Sequence, residues 1–137
     1  MDNALVWLHV SANLVWIGSI LAVGVVMVSS AVEPKVRGKL ASDIYRRLAV
    51  PAFVVSFLAG MARLLQAPAY YLRLHHWMHA KLPLALGVIA LHHVIGARAR
   101  KMALGSVQER GPAGILTVAL AVAALGAAFF AIFKIPN

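Results

Sequence analysis

The chain reads as an all-α integral membrane protein, a four-helix bundle with both termini outside the cytoplasm. Three observations lead there. Of its 137 residues 62% are hydrophobic and mean hydropathy is +0.84, a composition suited to lipid. Apolar stretches of about twenty residues recur four times, each the length of a helix that crosses a bilayer. The cations are grouped as well. Lys35, Arg37, Lys39, Arg46 and Arg47 follow the first stretch, and Arg98, Arg100, Lys101 and Arg110 follow the third, so the positive-inside bias puts both loops in the cytoplasm. Arg63, Arg73, Lys81 and Lys134 remain for the outer side.

Each span has its own punctuation. The first is predicted over 4–30 and stops near Glu33 and Pro34, because proline cannot continue the hydrogen-bond ladder and restrains the residue before it. It is longer than the core of a secretory signal, and Asp2 stands where a signal carries cations, so it is expected to stay attached. The second is predicted over 43–66, capped by Ser42 or Asp43 and ended before Pro68. The third is predicted over 76–100 with Pro83 in an early turn, and the fourth over 112–133, opened by Gly111 and Pro112 and closed by Lys134, Ile135 and Pro136. These spans make residues 1–137 a single transmembrane domain, with no room for a soluble one.

Small residues at Gly18, Ser19, Ala22, Gly24, Gly60, Gly87, Ala123, Ala124 and Gly126 suit close packing between spans. Trp7, Tyr70, Tyr71 and Trp77 suit an interfacial belt, and Trp16 lies too deep for one. The chain has no cysteine, which removes disulfides and thiolate metal sites. Most of the cations behind its net charge of +9 cluster in two short stretches and are not spread over a soluble surface, so a nucleic-acid partner is not expected and the bilayer is.

Ionisable side chains inside apolar spans are costly, and they mark ligand or ion pathways. His9, Asn13 and Trp16 are spaced i, i+4 and i+7, one stripe of the first helix. The stripe has two readings: a ligand site, or a structural histidine bonded to a neighbouring helix. His75, His76 and His79 open the third helix, and His79 lies at a depth comparable to His9. A planar metal-bearing cofactor held edge-on between two spans fits that geometry, with one imidazole on each face. Lys81, Arg63 and Arg73 lie on the same side, where they can pair with carboxylates entering low dielectric. Lys81 can also snorkel to the interface. His92 follows His79 by thirteen residues, about 20 Å along a helix, so the two cannot share one metal. His92 is read as a second ligand, a proton relay or part of a network.

Trp77, Met78, His79, Ala80, Lys81 and Leu82, followed by His92 and Gly96, resemble the signature of HemJ-type protoporphyrinogen IX oxidases, relatives of CopD-like copper-resistance membrane proteins. His9 with Trp16, and Tyr45 with Pro51, agree in order and spacing. The chain departs from the family pattern at Val25 and Ser30, where the family carries Arg and His, at Leu91, and around Glu109 and Pro112. The resemblance implies a multi-pass protein of a bacterial inner membrane that binds haem b and oxidises protoporphyrinogen IX to protoporphyrin IX. Electrons would pass to quinone or a respiratory-chain partner. On this reading His9 and His79, or else His92, are axial ligands, and Lys81 and Asn13 are the candidate catalytic groups. Arg63, Arg73, Trp16 and Trp77 would surround the cofactor. The alternative is copper handling at His75, His76, Met78 and His79, whose mixed imidazole and thioether donors suit copper. A third expectation is an accessory subunit docked on a larger complex, and a homo-oligomer is also compatible with the sequence.

Overall fold

The computed structural model describes residues 3–107 and 111–135. Asp2, Glu109, Arg110 and Pro136, which entered the sequence reading, lie outside the described residues. The chain is an all-helical, multi-pass bundle. It comprises α1 (Asn3–Val28), α2 (Pro34–Ile44), a widened π-type turn (Tyr45–Ala49), α3 (Val50–Gln66), a second π-type turn (Tyr70–Leu74), α4 (Trp77–Ala103) and α5 (Ala113–Phe133). The segments from Pro34 to Gln66 form one continuous rod, so four rods are long and apolar enough to cross a bilayer.

The second rod begins nine residues before the expected 43. Pro34 starts it instead of merely ending α1. At the first helical position a missing amide costs nothing and the fixed φ is already helical. The Arg37 amide closes the opening turn onto the Glu33 carbonyl at 3.0 Å. The buried Arg37 guanidinium donates to the Ser29 carbonyl just past α1, satisfying an acceptor that the end of α1 leaves open. Ser42 and Asp43 therefore lie inside a helix and cap nothing. Asp43 pairs with Arg46 on the surface at 3.0 Å. The first rod stops at Val28, two residues short of the expected 30, and the third runs on to Ala103, three beyond the expected 100.

α1 packs along α3, α4 packs along α5 and α2, and α5 also leans on α1. The principal core lies in the half nearer the 29–33 and 104–112 connections, called here the loop end. Trp16, Ile20, Val23 and Met27 of α1 form one stripe there, at the spacing of a single helical face. They meet Ala41, Tyr45 and Ala49 from the second rod, Val88, Ile95, Ala99 and Met102 from α4, and Ala113 and Leu120 from α5. The opposite half, at the terminal end, has a small cluster of Tyr71, Trp77 and Met78. Between that cluster and the main core, no α4 residue from 79 to 87 is buried. α3 and α4 instead touch through Phe53 with His92 and His93, and Leu64 packs on the Tyr71 cluster. The bundle is thus closed at the loop end and parted between α3 and α4 at the terminal end.

Not every small residue serves packing. Space beside Gly18 and Gly87 is open, whereas a Cβ on Gly96 would collide with the Tyr45 ring. Gly96→Ala is therefore expected to lower thermal stability in detergent by about 1–3 kcal/mol through overpacking, and Gly18→Ala to leave the melting midpoint unchanged. Circular-dichroism melts of both variants check this.

Candidate functional site

Two histidine centres lie inside the bundle, one in each half. In the closed half, His92 is fully buried. Trp16 Nε1 donates to His92 Nδ1 at 3.1 Å, so Nδ1 is the acceptor, and a neutral imidazole then carries its hydrogen on Nε2. Tyr45 and Phe53 enclose the ring at centroid distances of 4.9 and 5.1 Å, and His93 lies 5.0 Å away. His92 Nε2 is buried without a hydrogen-bond partner. A metal needs a lone pair, and at His92 Nε2 the Trp16 bond leaves a hydrogen instead. His92 thus has the part of a network residue, one of the three roles read for it, and its geometry does not suit the axial one.

In the parted half, His9 faces α3. Its Nδ1 donates to the Ser56 carbonyl at 2.8 Å, with Ser56 Oγ 3.4 Å away. The Asn13 amide donates to His9 Nε2 at 3.1 Å. Both readings of the polar stripe meet here, because the bond to α3 is structural and it also leaves Nε2 as the lone-pair nitrogen. The imidazole lies against Gly60, where a Cβ would come within 2.8 Å of His9 Cε1. Arg63 and Lys81 are within electrostatic reach of His9. Trp16, the third member of the stripe, turns to His92.

Around the terminal end of α4, Arg63 Nη2 donates to Tyr71 Oη at 2.7 Å and its guanidinium lies 5.9 Å from the Tyr71 ring centre. The Tyr71 ring meets Trp77 edge-on at 6.4 Å, and Lys81 Nζ is 5.8 Å from the Trp77 ring. Trp77 was expected in an exposed interfacial belt, and only 6% of its surface is exposed. The reason is the Tyr70–Leu74 turn, which folds Tyr71 over it. Trp7, 70% exposed, keeps the belt position. Arg73 is on the exposed side of the same turn, away from the Arg63 and Lys81 pair with which it was grouped.

His79 is exposed and its Nε2 donates to the Leu72 carbonyl at 2.8 Å. The structure does not turn it toward His9, although the two were expected to face each other. Depth follows from counting residues, but direction does not: two positions on a helix differ by about 200°, so when Lys81 faces inward His79 faces out. His75 stacks on Tyr70 at 4.3 Å, and His76 meets the His79 ring at 5.8 Å. Among the described residues no three His, Asp or Glu side chains converge to hold a metal ion.

Ser56, Gly60, Phe53 and Tyr71 belong to these centres without having been singled out for them by chemistry. Ser56 and Gly60 carried a usable signal. Two small residues at i, i+4 mark a face where a neighbouring helix's large side chain can enter.

Compared with family models, curated proteins and solved structures, the chain finds no match.

The Trp16 bond fixes the His92 tautomer, which nitrogen-15 NMR of labelled histidine reads directly. The wild-type ring is expected to show a protonated Nε2 and an unprotonated Nδ1. Trp16→Phe should mix the tautomers and cost about 1–2 kcal/mol of stability.

Proposed function

We propose that this chain is a haem-b-binding redox protein of a bacterial inner membrane, oriented with its basic loops in the cytoplasm. Its most specific form is an activity like that of the HemJ-type protoporphyrinogen IX oxidases it resembles. The observation that carries the reading is the state of His9. Imidazoles that bind metals donate their other ring hydrogen to a carbonyl or carboxylate, which fixes the tautomer and aims the lone pair. His9 has that arrangement, with Nδ1 bonded to the Ser56 carbonyl and Nε2 accepting only a side-chain amide. The Asn13 amide is a displaceable occupant of the Nε2 lone pair.

The surroundings agree with such a ligand. The parting between α3 and α4 would give an apolar ring lateral access from lipid, and Gly60 lets the imidazole sit close against α3. Bound haem iron would supply one-electron exchange. His9 would hold the iron, Arg63 and Lys81 would offset the carboxylates, and Lys81 is the group placed to handle a proton. His79 and His92 are engaged elsewhere, so on this reading His9 is the residue that would hold the iron. The electron acceptor on this view is quinone or a respiratory partner that meets the protein in the bilayer.

Protein purified in mild detergent and supplied with haem b is expected to show a Soret band that His9→Ala abolishes. Asn13→Ala should bind haem several-fold more tightly, since one competing hydrogen bond of about 1 kcal/mol is removed. A Soret band unchanged in His9→Ala would sink the assignment. If the haem also serves turnover, the wild type oxidises protoporphyrinogen IX and Lys81→Ala loses about tenfold or more, the usual range for a positioned proton-transfer group.

A further inference from the structure

Among the described residues, the positive charges at the terminal end have no counterion. Glu33 and Asp43 are the only acids among the described residues, and both lie at the loop end. Arg63 uses Nη2 on Tyr71 Oη, and its Nη1 is buried without a partner. Trp77 Nε1 is also buried without a partner, in a side chain only 6% exposed. Lys81 stands at the Trp77 ring. Two spare donors and two cations therefore lie at the Tyr71–Trp77 ring pair. Leaving buried donors unmatched is expensive, and more so when one is charged. A water molecule would fill a donor but would leave the charge uncompensated.

The geometry points to an oxyanion site beneath the Tyr70–Leu74 turn, built from Arg63 Nη1, Trp77 Nε1 and Lys81 Nζ, that takes the carboxylate of a membrane amphiphile. The guanidinium and the indole are both planar donors, and a carboxylate offers two acceptor oxygens to share between them. The ammonium adds charge on the indole side. A carboxylate fits the place as well as the donors, because the parting between α3 and α4 adjoins the cluster and an apolar tail can lie there in lipid contact. Neither spare donor is open to solvent, so the anion enters as the turn shifts outward. That turn is held to its surroundings by the Arg63–Tyr71 and His79–Leu72 hydrogen bonds. The carboxylate can come from a lipid-derived acid or from a propionate of a porphyrin, and only the second source rests on the function proposed above.

The test uses the full chain in detergent without added haem, and a dibrominated stearate as the probe. Bromine quenches nearby indole fluorescence, and Trp77 lies in the site. Saturable quenching is expected with the acid and not with its methyl ester. Arg63→Gln and Lys81→Gln should each weaken the acid about tenfold, the scale of one charge-assisted hydrogen bond. Lys81→Arg, which keeps the charge, should restore most of the affinity and serves as the check on folding. Lys134→Gln, an exposed cation at the same end, should change nothing. Equal binding of acid and ester, or acid binding unaffected in both glutamine variants, overturns the proposal. A parallel titration with haem b and its dimethyl ester separates the sources. Weaker binding of the ester places a propionate in the site. Equal binding with the fatty-acid arm intact leaves the site to a lipid-derived acid. Absence of a Soret band with either form counts against the haem reading alone.

Discussion

The donation from Trp16 Nε1 to His92 Nδ1 joins α1 to α4 at a depth where no water can replace either group. It is a polar bond set inside an otherwise apolar core, and its two partners come from segments 76 residues apart. Lipid offers spans no hydrophobic reason to associate, so packing and hydrogen bonds must supply it. Here the rings do both. The indole fixes the imidazole, and Phe53 and Tyr45 close over the imidazole from the second rod. Tyr45 in turn requires the bare backbone of Gly96. All the rods but α5 meet at this one cluster, and the shape of the bundle follows from it.

Once the loop half is drawn tight around His92, the terminal half cannot close to the same degree. α3 follows α1, and α4 follows α5, so the two pairs diverge toward the terminal end. The π-type turn at Tyr45–Ala49 lies where the second rod, which packs on α1 along its length, leaves α4. An extra residue in a helical turn shifts the face presented beyond it, which lets one continuous rod serve two partners. The divergence leaves the inward side of α4 between Met78 and Val88 without a buried residue. It is in this stretch that the chain places Lys81, opposite a helix carrying Arg63 and the carbonyl that holds His9.

The helices were legible in the sequence because lipid imposes a length and a polarity that few residues can satisfy. α5 shows this most plainly, predicted over 112–133 and found at Ala113–Phe133. Pro34 was misjudged because the same residue ends one helix and begins another, and only the neighbouring acceptors tell which it does. The azimuth of His9, His79, Lys81 and His92 was not legible, since it depends on which helices become neighbours, and four spans allow several arrangements. That is why Lys81 could be placed near His9 while His79, two residues before it, turned to the Leu72 carbonyl. Trp77 was misplaced for a related reason. A tryptophan near the end of a span belongs to the interface unless a following or preceding segment folds over it, and the Tyr70–Leu74 turn does so.

The two histidines make opposite use of the same chemistry. At His92 a neighbour donates to Nδ1, so the remaining nitrogen is a donor in a closed aromatic box. At His9 a carbonyl accepts from Nδ1, so the remaining nitrogen is an acceptor, met by the Asn13 amide. A metal ion or other electrophile seeks the second arrangement and gains nothing from the first. The acceptor imidazole is also the one that lies near the uncompensated cations, which would repel a free metal cation and draw an anion. The ligand proposed above, an electrophilic centre within a neutral or anionic body with carboxylates at the edge and an apolar remainder that lipid can solvate, would suit both features.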